Sequence, residues 1–286
     1  MIRTPPGWGA DMVAHAYRSM TTTETGYAAN DASAIQVNRI GLDDLTWSLR
    51  RGLEDFGAAR TDILFLCMIY PLVGLLLGWE ASGTGMLPLV FPLASGFALI
   101  GPLAAVGLNE MSRRREMGEP VSIATAFAIF RSPAIGSILL LGAVLLGMLL
   151  FWLVISNAFY NVTLGPQPPV SASLFLTEVF YTAPGRALIA VGVGVGFLFA
   201  VIALAIGCVS FPLLLDRNVG VEAAVRTSMR VVLHNPATMA MWGLIVVGGL
   251  VAGSLPLLLG LIVVMPVLGH ATWHLYRRAV TPPPGH

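Results

Sequence analysis

The stretch Val221-Glu-Ala-Ala-Val-Arg-Thr-Ser-Met-Arg-Val-Val-Leu-His-Asn-Pro236 decides how the chain is read, because an amphipathic segment runs directly into a proline that opens a long apolar run. The arrangement recurs. Counting back from the proline, Ser228, Met229, Leu233 and Asn235 correspond to Thr125, Ala126, Phe130 and Ser132 before Pro133, and Glu222 corresponds to Glu119. A fainter copy is Ser48, Leu49, Arg50, Leu53 and Asp55 ahead of the first apolar run. Such a segment reads as a surface helix in the membrane interface, followed by a tight turn and a spanning helix. Asn235-Pro236 and Ser132-Pro133 suit that turn, with a side-chain acceptor at the N-cap and proline at the first helical position.

Composition places the chain in a membrane. Of its 286 residues 56% are hydrophobic and only 11% charged, too little polar surface for a water-soluble fold. The net charge of +1 conceals an asymmetry, since all sixteen cations are arginines. Fifteen of them fall on one assigned side and only Arg186 lies opposite, which by the positive-inside rule places both termini and the interfacial helices in the cytoplasm. No short basic leader with a cleavage site is visible, so no segment is expected to be removed, and Met20 offers an alternative start. Cys67 and Cys208 sit singly inside apolar runs and are expected to be buried packing residues.

The resulting fold class is an all-α, polytopic membrane helix bundle. Residues 1–40 and 279–286 are expected to be disordered tails around a domain of six spans, at about 62–79, 87–108, 133–159, 187–215, 236–255 and 257–276. Interfacial helices are expected at about 42–56, 121–131 and 220–234, giving three units of one surface helix plus two spans. In the first, Leu42, Leu45, Leu49, Leu53 and Phe56 make the apolar stripe.

Chemistry is sparse. No Asp, Glu or Arg falls in the middle third of any expected span, where ion-coupled transporters place such groups. Asp62, Glu80, Glu110 and Asp216 mark span ends that water can reach, and Arg113, Arg114 and Arg115 read as an orientation signal that touches lipid headgroups. His270 and His274 are four apart, so they share a helix face and are weak candidates for haem or metal; the blander reading is snorkelling beside Trp273 and Tyr276. No cofactor or metal site, no catalytic set and no nucleic-acid contact is expected. The small-residue pairs Gly74/Gly78, Gly192/Gly196 and Gly249/Gly253 permit close helix approach, inside the bundle or to another subunit.

The segments before Ser132-Pro133 and Asn235-Pro236, with Leu45-Thr-Trp-Ser-Leu-Arg-Arg-Gly-Leu-Glu-Asp-Phe56 and the span after it, resemble the integral membrane family called domain of unknown function 2189, over about residues 40–278. The resemblance implies a bacterial inner-membrane protein of unestablished activity, some relatives being labelled cytochrome c oxidase subunits; it carries over no functional residues. The Ala-x-x-x-Ser-Met-Arg pattern at 224–230 is also similar to interfacial helices of six-span proteins of the glycerophosphodiester phosphodiesterase membrane-domain type. The reading is therefore a non-catalytic accessory or assembly subunit of a respiratory complex, with a small-molecule or lipid transporter as the alternative. A mid-membrane cavity lined by Ser95, Ser137, Cys208 and Ser210 would favour transport.

Overall fold

The computed structural model describes residues 35–58, 67, 68, 71, 72, 74–76, 79, 86–217 and 219–281. Ten of the eighteen residues of the first expected span, 62–79, lie outside the described residues, Gly78 among them. The described chain is all-helical, without a strand. Its helices are α1 (Leu42–Ala58), α2 (Leu87–Ala104), α3 (Val106–Glu116), α4 (Ile123–Phe127), α5 (Ile135–Thr163), α6 (Ala172–Tyr181), α7 (Ala183–Gly207), α8 (Ser210–Arg217), α9 (Val221–His234), α10 (Pro236–Ser254) and α11 (Leu261–Ala279).

Three stretches are long and apolar enough to cross a membrane: α5, the 35-residue run Ala183–Arg217 formed by α7 and α8, and α10. A fourth is added if the helix pair Leu87–Gly96 and Ala98–Glu116, bent by 41°, counts as one span. α11 is not among them. Its second half carries His270, His274, Arg277 and Arg278, and it is the most extensively buried of the long helices.

Burial is concentrated at one end of the molecule rather than along the apolar helices. In α8 every residue from Ser210 to Leu215 is buried, whereas α7 buries only Gly185, Ala203 and Gly207, and α10 only Met239, Trp242 and Gly253. The spans meet lipid, which leaves their apolar faces outward; the polar ends must bury their side chains against one another.

The expected interfacial helices occur at 42–58 and 221–234, while the middle one is only α4 followed by a 3-10 turn, Ala128–Arg131. What they bury differs from the expected stripe. α1 turns Leu45, Ser48, Gly52, Asp55 and Phe56 inward and leaves Leu42 and Leu53 exposed. Gly52 explains this: a Cβ there would lie 2.7 Å from both the Ala271 nitrogen and the Val267 oxygen, so the backbones of α1 and α11 touch. α9 likewise buries Ala224, Thr227, Ser228 and Val231 and exposes Met229 and Leu233. Ser228 has a task there. The break between α7 and α8 frees the Val209 N–H, which donates to Ser228 Oγ at 3.2 Å.

Both turns depart from the expected capping. Pro236 does occupy the first turn of α10, but the Asn235 side chain makes no cap bond. Its Oδ1 accepts from Ile40 N–H at 2.9 Å, and its Nδ2 donates to the carbonyls of Asn38 (3.0 Å) and Val231 (3.1 Å). A buried amide with long-range backbone partners leaves nothing for the local cap. Ser132 accepts from Ala134 N–H at 3.2 Å, so α5 begins at Ile135, two residues beyond Pro133.

Residues 35–41 and 279–281 are correspondingly not loose tails. Val37 bridges Val280, Asn38 N–H donates to the Ala279 carbonyl at 2.9 Å, and Thr281 N–H donates to the Gln36 carbonyl at 3.1 Å. This short pairing joins the segment before α1 to the end of α11.

Candidate functional site

Three helices meet around the Asp55 carboxylate. It lies in the last turn of α1, Ser112 in the middle of α3, and His270 and His274 one turn apart on α11. Asp55 Oδ2 accepts from Ser112 Oγ at 2.6 Å and lies 2.8 Å from His274 Nε2; Arg115 Nη1 is 3.4 Å from Oδ1 and also donates to the Glu54 carbonyl at 2.9 Å. Ser112 Oγ is in turn 2.8 Å from His270 Nδ1. A hydroxyl has one proton. With that proton on Asp55, Ser112 accepts from a protonated His270 Nδ1, which leaves the lone pair of His270 on Nε2. That nitrogen is buried without a hydrogen-bond partner, beside a cavity of about 250 Å³ that Asp55, Met111 and Arg115 also line.

Burial alone would raise the Asp55 carboxyl, but the hydrogen bonds from His274 and Ser112 outweigh it and hold the group below the ordinary aspartate range. The His274 ring meets Trp47 edge-on at 5.7 Å between centroids, and Arg278 lies over that indole at 4.3 Å.

The arrangement does not suit nucleophilic catalysis. A serine nucleophile needs its proton taken by an imidazole that a carboxylate orients from the far side. Here the carboxylate takes the serine proton directly, the far nitrogen of His270 faces no carboxylate, and Ser112 is buried. What the cluster does is tie α1 to α3 and α11 through charge-assisted hydrogen bonds.

A second network extends the tie. Trp273 Nε1 donates to Glu116 at 2.8 Å, Arg277 pairs with Glu116 at 3.0 Å, Tyr276 donates to Asp216, and Arg278 pairs with Asp44 at 3.3 Å. The last two turns of α11 thus hold α1, α3 and α8 together.

The sequence-derived candidates divide accordingly. His270 and His274 do share a face, but they turn inward to Asp55 and Ser112 instead of snorkelling. Among the described residues no group of three or more His, Cys, Asp and Glu could hold a metal ion. The arginine triplet is used internally: Arg113 and Arg114 both bond Glu110 at 2.7 Å, and Glu110 is buried rather than a solvated span end. Added Cβ atoms at Gly74, Gly196, Gly249 and Gly253 would meet Leu258, Trp152, Val264 and Leu261, whereas Gly192 faces open space. Cys67 and Cys208 are free and buried. Asp55, Ser112 and Arg115 were not legible as partners of the histidines, since Asp55 reads as part of the wet face of an amphipathic helix.

Residues 90–216 match a family described as "Predicted integral membrane protein (DUF2189)". That is the family the sequence resembles, over a shorter stretch than residues 40–278. The chain has no match among curated proteins or solved structures. The class is thus an integral membrane protein of apolar helices closed at one end by a polar cap. The family match carries no activity with it.

Proposed function

We propose that this chain is a non-catalytic, multi-pass subunit that packs its apolar helices against a larger membrane complex, as an accessory or assembly component of a respiratory enzyme of the cytochrome c oxidase type. The supporting observation is α7. It spans with almost nothing buried, and around its middle Gly192 and Gly194 both stand in open space while Val191, Val193 and Phe197 are exposed. Small residues on an exposed apolar face allow another helix to approach closely. The partner class rests on the labels of relatives in the resembled family.

The reading includes six spans, three units of surface helix plus two spans, and cytoplasmic termini in a bacterial inner membrane, with no cofactor. The repeat is supported by burial at its corresponding positions. Ser48, Thr125 and Ser228 are all buried, while Leu53, Phe130 and Leu233 are all exposed and available to lipid.

Transport is the less supported alternative. Ser95 Oγ donates to the Pro92 carbonyl and accepts from Trp152, Ser210 donates to the Ile206 carbonyl, and neither they nor Ser137 and Cys208 line the cavities of 250 and 830 Å³. The test is a mild-detergent pull-down of a C-terminally tagged copy from its native membrane. Oxidase subunits at near-equal ratio are expected; a clean homomer would end the accessory reading and make transport assays the next step.

A further inference from the structure

A second cavity, of about 830 Å³, opens where α3, the 3-10 turn, the start of α5 and the end of α8 converge. Four arginines line it, Arg113, Arg114, Arg131 and Arg217, against two carboxylates, Glu110 and Asp216. The carboxylates are already shared. Glu110 serves both Arg113 and Arg114 at 2.7 Å. Asp216 accepts from Tyr276 and lies 3.5 Å from Arg217 and 3.6 Å from Arg277, which stands outside the cavity. Arg131 makes no ion pair among the described residues, whereas Arg217 has its Nε 3.5 Å from Asp216 and its Nη2 donating to the Thr281 carbonyl. Glu119 lies 3.7 Å from Arg114, so four arginines face three carboxylates and the guanidinium of Arg131 is left over.

Its position matters as much as its charge. α5 starts at this cavity and the Ala183–Arg217 run ends there, so two antiparallel candidate spans reach the same membrane face at its walls. The ends of a span are where lipid headgroups begin. Arginine presents a planar fork of donors that matches phosphate oxygens, and here four forks converge from three chain segments.

We propose that this cavity binds a phosphate-bearing anion, with Arg131 as the principal donor and with Arg113 and Arg114 held in place by Glu110 and Arg217 by Asp216. The phosphate could arrive on an anionic lipid headgroup or on a soluble molecule, and one experiment separates these sources. The full chain, purified in mild detergent, is unfolded thermally while phosphatidylglycerol, phosphatidylcholine or inorganic phosphate is titrated in. Wild type is expected to gain stability saturably with phosphatidylglycerol or with phosphate and not with phosphatidylcholine. Arg131→Gln is expected to raise the half-saturating concentration about tenfold, the loss of one charged hydrogen bond. Arg131→Lys should restore part of it, and Arg186→Gln, at the other end of α7, should leave it unchanged.

A response to phosphatidylglycerol alone assigns a lipid headgroup; a response to free phosphate that competes with the lipid assigns a soluble ligand. Absence of any saturable response in wild type overturns the proposal, and so does an equal effect of Arg131→Gln and Arg186→Gln. Arg131 is exposed and makes no ion pair among the described residues, so its variants should unfold at the wild-type temperature in phosphatidylcholine, which separates lost binding from lost fold.

Discussion

Gly52 of α1 lies against the backbone of α11 at Ala271, so close that a methyl group on Gly52 would stand 2.7 Å from the Ala271 nitrogen. Backbone cannot yield as a side-chain tip can. Gly52→Ala is expected to cost about 1–3 kcal/mol through overpacking, and Gly52→Val more. Gly57, one turn on, has nothing within 4 Å, and Gly57→Ala should be neutral or slightly stabilising. Thermal unfolding in detergent reads the contrast; equal effects at the two glycines would show that α1 is not seated as described.

Removing the Asp55 carboxylate leaves Ser112 and His274 buried without their acceptor. Asp55→Ala and His274→Ala should each destabilise by about 1–3 kcal/mol. The double variant should fall short of the sum by about 0.5–3 kcal/mol, as for residues in one network. Simple additivity would mean that the two side chains act independently.

The same carboxylate gives a pH signature. Its folded-state value lies below the unfolded value of about 3.9, because its hydrogen bonds outweigh burial. Its stabilising contribution is therefore complete above about pH 5, starts to fade as the pH nears the unfolded value and is lost as the pH falls through the folded-state value. The stability gap between wild type and Asp55→Asn should be constant from pH 7 to about 5 and shrink on further acidification. A gap that widened in acid would contradict the assigned direction.

Asn235 fixes residues 38–40 through two hydrogen bonds, and Thr238 adds a third by donating to the Ile40 carbonyl at 2.9 Å. Asn235→Leu should cost about 1–3 kcal/mol by orphaning the buried Ile40 N–H. Amide exchange should rise in residues 38–41 before it rises in α5. Asn235→Asp, which keeps the acceptor for Ile40, should be milder, and uniform exchange changes across the molecule would count against a local clamp.

Much of the architecture was legible because apolar runs, prolines and amphipathic stretches are local signals. α5 and α10 start within two residues of their expected positions, and α1 and α9 do so as well. The buried faces were not legible. The period of Leu42, Leu45, Leu49, Leu53 and Phe56 identifies a helix in an interface, but lipid and protein both accept leucine, so the pattern cannot say which leucines face which. Small and polar residues decide the protein side: Gly52 sets the approach, and Asp55 and Asn235 supply bonds to residues about 200 positions away in the chain. The candidate site failed for the same reason, since His270 and His274 show their spacing in sequence but not the carboxylate that receives them.

The pairing of α1 with α11 also fixes when the protein can be finished. About 200 residues separate the two helices, so at translation rates of roughly 5–20 residues per second α1 waits some 10–40 s for its partner. Throughout that interval the Gly52 groove has no partner, and Asp55 has only Ser112 and Arg115 of α3. Arrival of the last helix completes both. A chain that ends before α11 therefore leaves its first helix without the surface it packs on.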